Sequence, residues 1–203
     1  EKLYVAKLDR NGNWLWAKQV GGTSDDLAHG IAVDTDGNCY VTGSFKYTAE
    51  FGSTTLTNNG FADIFITKLD TNGNWIWAKQ AGGRANDYSY DIAVDTNGNC
   101  YVTGEFRDVA TFGSMTIKSS SAHADIFVAK ADSTGTWLWA EQAGGTYQSD
   151  TGKGIAVDSE GNSYVTGNIF NTATFGTTTL NGRGEDIFIA KMSPNGKWIW
   201  ANL

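Results

Sequence analysis

The sequence lacks several features that mark common functional classes. Its formal net charge is −7, so it has no basic excess with which to bind the phosphates of a nucleic acid. No apolar run approaches the about 20 residues that a membrane-spanning helix needs. Two cysteines, Cys39 and Cys100, are too few for a disulfide framework. What remains is a globular composition, 40% hydrophobic and 18% charged.

Catalytic and metal-binding signatures are also missing. The only histidines, His29 and His123, are predicted to lie in loops, and neither has carboxylate, Cys or His partners at ligand spacing. No G-x-S-x-G, H-E-x-x-H or P-loop motif is present. The sequence therefore predicts no catalytic residue, no metal site and no cofactor.

What the sequence does contain is internal repetition. One segment with paired tryptophans occurs four times: GNWLWAKQVGG at 12–22, GNWIWAKQAGG at 73–83, GTWLWAEQAGG at 135–145 and the shorter GKWIWAN at 196–202. The first tryptophans of these copies are residues 14, 75, 137 and 198, at intervals of 61, 62 and 61. The preceding segments keep the same interval, as in GIAVDTDGNCYVTGSF at 30–45 and DIAVDTNGNCYVTGEF at 91–106. One structural unit therefore recurs about every 61 residues.

Each repeated segment predicts a β-strand. The runs are short, rich in β-branched and aromatic residues and bounded by Asn-Gly or Asp-Gly turns, and none keeps a helical period. One unit contains four strands, named here A (IAVD), B (CYVTG), C (DIFIAKLD) and D (WIWAKQ). Four antiparallel strands at a fixed period are typical of a β-propeller blade. The B–C connection, which carries TATFGTTTL in the last copy, is expected to add a short hairpin and to lengthen the repeat.

The segments GIAVDSEGNSYVTG at 154–167 and DIFIAKMSPNG at 186–196, followed by WIWA, resemble the SBBP repeat. This is the seven-bladed β-propeller repeat of large secreted and cell-surface proteins of Bacteroidetes-type bacteria. The resemblance covers essentially the whole chain. It implies a propeller fold and an extracellular or cell-surface location, and it brings no shared catalytic motif.

The strand count predicts an all-β partial propeller. We expect a half blade of strands C and D at residues 1–22 and three full blades at 23–83, 84–145 and 146–203. Strands C and D occur four times but A and B only three times, so the chain is expected to be a segment of a longer propeller protein. The alternative is a small four-bladed arrangement whose incomplete blade stays open or is completed by another subunit.

The long connections are the predicted functional face. In a four-stranded meander the B–C and D–A connections lie on one side, and long loops on a rigid scaffold often carry binding residues. Each D–A loop places an aspartate five residues before the strand A isoleucine. Such a set could hold a cation or sugar hydroxyls, or it could cap backbone N–H groups within its own loop. The candidate binding residues are Asp26, Asp87 and Asp150, with the variable neighbours Arg84, Tyr88, Tyr90, Tyr147 and Lys153.

Two further groups of repeated residues have structural interpretations. Asp34, Asp95 and Asp158 precede the A–B turns, where Asx-turn chemistry explains them better than a calcium loop. The residue between each pair of tryptophans is always aliphatic, so both faces of strand D are expected to pack between blades. The tryptophans predicted to form this structural core are Trp14, Trp16, Trp75, Trp77, Trp137, Trp139, Trp198 and Trp200.

These features favour a non-enzymatic extracellular scaffold or binding module that engages glycans or proteins through its long-loop face. The alternative is a multivalent lectin with one sugar site in each blade. A glycosidase or lyase at the channel mouth is less favoured, since a glycosidase would need two carboxylates about 5–10 Å apart. The expected partners are a glycan or protein ligand and further blades of the same polypeptide or of another subunit, with no nucleic acid and no membrane insertion.

Overall fold

The computed structural model describes residues 2–22 and 24–203, and every regular element in these residues is a β-strand. Residues 1 and 23, the predicted first residues of the half blade and of the first full blade, lie outside the described part. The prediction of an all-β fold is confirmed.

The strands follow the predicted order in each unit. The half blade consists of β1 (Leu3–Leu8) and β2 (Trp14–Val20). The first full blade consists of β3 (Leu27–Val33), β4 (Cys39–Phe45), β5 (Thr48–Phe51), β6 (Thr54–Thr57), β7 (Asp63–Leu69) and β8 (Trp75–Gly83). The second consists of β9 (Tyr88–Val94), β10 (Cys100–Phe106), β11 (Val109–Phe112), β12 (Met115–Lys118), β13 (Asp125–Ala131) and β14 (Trp137–Gly144). The third consists of β15 (Thr151–Val157), β16 (Ser163–Phe175), β17 (Thr178–Met192) and β18 (Trp198–Asn202).

Each full blade is an antiparallel A-B-C-D sheet, as in β3-β4-β7-β8. Neighbouring blades bury apolar side chains between their faces. Ile64 and Ile66 of the first blade, for example, share one core with Val102 and Phe127 of the second. Equivalent residues form the cores of the other two junctions. The sheets form an open array, so the predicted partial propeller of three full blades and a half blade is confirmed.

The B–C connection forms the expected hairpin, and the structure shows what that hairpin does. It is β5–β6 in the first blade, β11–β12 in the second and the joined ends of β16 and β17 in the third. The hairpin of the second blade pairs with strand D of the first, with Ala110 opposite Gly83. The third hairpin pairs with β14 in the same way. The second and third hairpins therefore extend the preceding blade and cover part of its outer edge, whereas β5 and β6 form a separate two-stranded sheet.

This pairing explains the glycine pair that ends strand D. A β-carbon on Gly83 would collide with the carbonyl oxygen of Val109 in the next hairpin. Gly22 faces Thr48 and Gly145 faces Thr172 in the same relation. The second glycine is needed because another backbone passes directly over it.

The predicted structural core of tryptophans is confirmed in part, because six of the eight pack against the junction cores without being fully buried: Trp16, Trp75, Trp77, Trp137, Trp139 and Trp198. Trp14 is 69% exposed, and the other seven are half-buried. The aliphatic residues between them, such as Ile76 and Leu138, are also exposed. Strand A contacts strand A of the next blade, whereas strand D is the outer strand, where a neighbouring blade gives less cover. Tryptophan indoles also form hydrogen bonds across the junctions, as where Trp77 Nε1 donates to the carbonyl oxygen of Ser133 at 3.0 Å.

The opposite, short-turn face is built from repeated polar contacts. Asp34 Oδ1 accepts the backbone N–H groups of Asp36 and Asn38 at 3.1 and 2.8 Å, which confirms the Asx turn. The Lys68 ammonium lies 3.5 Å from Asp34 and 4.7 Å from the centroid of the Tyr40 ring. The other two blades repeat this arrangement with Asp95, Tyr101 and Lys130, and with Asp158, Tyr164 and Lys191. Its recurrence in every full blade identifies it as part of the framework.

Candidate functional site

The long connections meet on one face. The D–A loop of each of the last two blades lies against the B–C connection of the blade before it. Asp87 N–H donates to the carbonyl oxygen of Ala62 at 2.9 Å, and Asp150 N–H donates to that of Ala124 at 2.9 Å. The long-loop face is thus assembled at blade junctions, from two blades at a time.

The three predicted aspartates lie inside this face and are buried. Asp87 Oδ2 accepts the N–H of Gly83 at 2.7 Å, and its Oδ1 accepts the N–H of Arg107 at 3.1 Å. Asp108 follows with a positive φ of 63°, a conformation that disfavours most side chains. In the same way, the Asp150 carboxylate accepts the N–H groups of Gly145 and Phe170, and the Asp26 carboxylate accepts the N–H of Gly22. Each carboxylate therefore fixes the exit of strand D, and Asp87 and Asp150 also fix the start of a hairpin.

A second buried carboxylate accompanies the last two of these aspartates. A β-carbon placed on Gly82 would lie 2.8 Å from Asp63 Oδ1 and 3.0 Å from Asp87 Oδ2, so the glycine leaves space between the two carboxyl groups. Asp63 Oδ2 accepts the N–H of Asn59 at 3.0 Å, while its buried Oδ1 has no hydrogen-bond partner. Asp125 stands in the same position beside Asp150.

Burial controls the protonation of these groups. Loss of solvation raises the pKa of Asp63 to about 6, and the same effect together with the charge of Asp63 raises the pKa of Asp87 to about 7. Burial likewise raises the pKa of Asp150 to about 6. Because these side chains have no exposed surface, a ligand cannot contact them in this conformation.

Metal-ligating side chains do not cluster at these junctions in the described part of the chain. Within residues 2–22 and 24–203, no three or more His, Cys, Asp or Glu side chains come together to hold a metal ion. The paired carboxylates, such as Asp63 and Asp87, supply two such groups at a junction.

Among the described residues, clefts open on the long-loop face at two blade junctions. The first, which we call the Arg84 cleft, has a volume of about 630 Å³ between the first and second blades. It is lined by Asn59, Gly82, Gly83, Arg84, Asp108, Val109 and Thr111. The backbone of Gly82 and Gly83, which forms one side of the cleft, is positioned by the hydrogen bond from the Gly83 N–H to Asp87.

The second, which we call the Tyr147 cleft, has a volume of about 480 Å³ between the second and third blades. It is lined by His123, Tyr147, Gln148, Ser149, Phe170 and Glu185. The Asp150 carboxylate holds the backbone of Phe170 at its base. The predicted candidates are thus divided. Arg84 and Tyr147 lie in separate clefts, with Asp87 and Asp150 bonded to the backbone of their linings. Asp26 is buried elsewhere, where it accepts the N–H of Gly22, and Tyr88 is a half-buried residue of β9 that lines neither cleft.

The structure also brings together residues whose connection the repeat analysis missed. His29 lies in β3 rather than in the predicted loop, and its ring centroid is 5.4 Å from that of Tyr90 in β9. Lys153 in β15 places its ammonium 3.7 Å from the Tyr90 ring centroid. Tyr90 also bonds to Glu105, and its pKa is raised by burial and by the charge of that carboxylate. His29, Tyr90 and Lys153 occupy one position in three strand A segments, so aligning the repeats at that position would have indicated the row.

Comparison with known proteins supports the fold. The sequence profile of the SBBP β-propeller repeat matches residues 15–44, 76–105 and 138–169. The uncharacterized WD repeat-containing protein L264 of Acanthamoeba polyphaga mimivirus is 30% identical over 111 residues, 51% of this chain and 8% of that protein. The regulatory protein FlaEY of Caulobacter vibrioides is 28% identical over 107 residues, 51% of this chain and 11% of that protein. The matched regions are thus about a tenth of these relatives.

A crystal structure of a protein of unknown function from Bacteroides caccae has a TM-score of 0.45 and 11% sequence identity. The match covers 96% of this chain and 72% of that one. The described residues contain no helix of the length and apolarity needed to cross a membrane.

Proposed function

Because this chain belongs to the family of SBBP β-propeller repeat proteins, we propose that it is a non-enzymatic binding module that engages glycans or proteins through its long-loop face. One observation carries the proposal. The framework repeats from blade to blade, whereas the two clefts in it are lined by different side chains, Arg84 and Asp108 in one, Tyr147 and Glu185 in the other. Variation at one face of a constant scaffold is the usual arrangement of a recognition surface.

The module is further proposed to be part of a larger secreted or cell-surface bacterial protein. Support for further blades comes from the open face of the third blade, where Ile187 and Ile189 are 71% and 47% exposed. Their equivalents in the first blade, Ile64 and Ile66, are fully buried beneath the next blade. A further blade of the same kind, from the same polypeptide or another subunit, would cover this face in the same way.

A lectin with one sugar site in each blade is the alternative, and the occurrence of a cleft at two successive junctions favours it. A sugar site in each blade would require similar residues in each cleft, however, and the side chains that line the two clefts differ. If sugars bind with equal affinity at both junctions, the lectin is the better description.

The test is binding of the full chain to arrays of glycans and of extracellular protein domains, repeated with an Arg84→Ala, Tyr147→Ala double variant. We expect the double variant to lose binding and to keep its unfolding temperature, because both side chains stand at clefts open to solvent. Binding that survives both substitutions would place the site elsewhere. Turnover of any glycan on the array would contradict the non-enzymatic part of the proposal.

A further inference from the structure

We infer that the Tyr147 cleft is a binding site for a neutral saccharide ring. This inference rests on the proposed binding function and narrows it to one site and one class of ligand. The cleft volume of about 480 Å³ lies within the range of small-molecule sites. Its lining combines one well-exposed aromatic ring with several hydrogen-bonding groups of different kinds.

The aromatic ring is the first element. Tyr147 is 59% exposed at the cleft, beside the half-buried ring of Phe170. One face of a pyranose ring presents C–H groups, which pack favourably on an aromatic face while the hydroxyl groups point outward. Tyrosine suits this position because its ring is apolar and its hydroxyl group can still bond to water or ligand.

The polar groups are the second element. Gln148 offers both donors and an acceptor, and His123 offers one of each when neutral. Ser149 Oγ accepts the N–H of Ala124 at 3.3 Å, so its hydroxyl hydrogen remains free to donate. A sugar hydroxyl both donates and accepts, and this mixture of groups matches that requirement.

Glu185 is the third element. Glu185 is exposed, and its Oε1 accepts from Asn168 Nδ2 at 3.1 Å, which orients the carboxylate and leaves Oε2 for a ligand. No Lys or Arg side chain lines the cleft, so phosphate, sulfate and carboxylate ligands lack a counter-charge there. A carboxylate that shares the cleft with no Lys or Arg side chain favours hydroxyl groups as its partners.

These features distinguish the Tyr147 cleft from the Arg84 cleft. The D–A loop that carries it, GGTYQSDTGKG, is one residue longer than the other two D–A loops. The lining of the Arg84 cleft includes no aromatic residue. The inference therefore predicts one saccharide site in the chain, in contrast to a lectin with a site in every blade.

The experiment uses the full chain and an array of neutral oligosaccharides of glucose, galactose, mannose and N-acetylglucosamine. The best ligand is then titrated calorimetrically into the wild type, Tyr147→Ala and Glu185→Gln. We expect the affinity to fall about tenfold or more with either substitution, equivalent to about 1.4 kcal/mol. Tyr4→Ala is the matched control, because Tyr4 is 68% exposed on β1 and lines no part of this cleft, and it should leave the affinity unchanged.

Two results would overturn the inference. If the wild type binds no oligosaccharide on the array, the ligand class is wrong. If a saccharide binds and Tyr147→Ala leaves its affinity unchanged, the site is wrong. In both cases the proposed binding function still stands if the chain binds a protein or a saccharide and Arg84→Ala abolishes that binding.

Discussion

The ammonium nitrogen of Lys153 lies 3.7 Å from the centroid of the Tyr90 ring, across the junction between the third and second blades. His29 approaches the same ring from the first blade, and its Nδ1 lies 2.8 Å from the carbonyl oxygen of Ser89. Three innermost strands are thus linked by side chains rather than by a continuous sheet. The link between β9 and β15 is the cation–π contact of Lys153 with Tyr90, and the energy of such a contact can be measured.

Lys153→Met should lower the free energy of unfolding by about 0.5–1 kcal/mol, because methionine keeps most of the apolar stem and removes the charge above Tyr90. The measurement is urea unfolding in a double-mutant cycle with Tyr90→Leu. We expect the two substitutions to be coupled by a similar energy. Lys118→Met, at an exposed position in β12, is the control and should change stability little. Additive effects of Lys153→Met and Tyr90→Leu would show that the contact contributes nothing.

Gly83→Ala should lower the free energy of unfolding by about 3 kcal/mol, a larger loss than that expected for Lys153→Met. The new methyl group would collide with the carbonyl oxygen of Val109 and separate the second hairpin from strand D of the first blade. Thermal unfolding measures the loss. The comparison is Gly12→Ala, which meets no atom within 4 Å and costs only the strain of its positive φ of 83°, about 1–2 kcal/mol. Equal losses in the two variants would mean that the hairpin does not pack closely on strand D.

The glycine pair also shows how far the sequence could be interpreted. The WLWA or WIWA segment, which occurs four times, indicated strands and their repetition, and Asp34 and Asp95 indicated Asx turns, because these signals are local in sequence. The requirement at Gly83 comes from a strand of the next blade, about 26 residues further along the chain. For the same reason the pairing of Asp63 with Asp87 was not foreseen: the two belong to different repeated segments that meet only when one blade packs against another.

Trp77→Phe should destabilise the junction between the first and second blades by about 1 kcal/mol, since it removes the indole N–H that donates to the carbonyl oxygen of Ser133. Differential scanning calorimetry provides the measurement. Trp14→Phe is the matched control, because Trp14 occupies the first tryptophan position of the half blade and is 69% exposed. If both variants unfold at the wild-type temperature, the indole bonds do not stabilise the junctions.

The buried carboxylates predict an unusual dependence of stability on pH. The pKa values of Asp63 and Asp87 are raised from 3.8 to about 6 and about 7 by burial. Folding therefore favours their protonated forms, and the stability that they contribute is complete below pH 3.8 and is lost as pH rises through 6 and 7. Turn aspartates such as Asp70 behave oppositely, because hydrogen bonds from the Asn74 backbone and side chain lower the pKa of Asp70. The free energy of unfolding should then be greatest in mildly acidic solution and should decline towards pH 8.

Asp63→Asn should reduce that decline. Its amide oxygen can still accept the N–H of Asn59, its amide nitrogen can face the space beside Asp87, and no buried charge forms at high pH. We expect the variant to be more stable than the wild type by about 1–2 kcal/mol at pH 8 and nearly equal to it at pH 4, as measured by urea unfolding at each pH. Asp70→Asn is the control with the opposite sign, destabilising at pH 8 and nearly neutral at pH 2. A loss of stability in Asp63→Asn at pH 8 would mean that the surroundings of Asp63 stabilise its charged form and offset the cost of burying it.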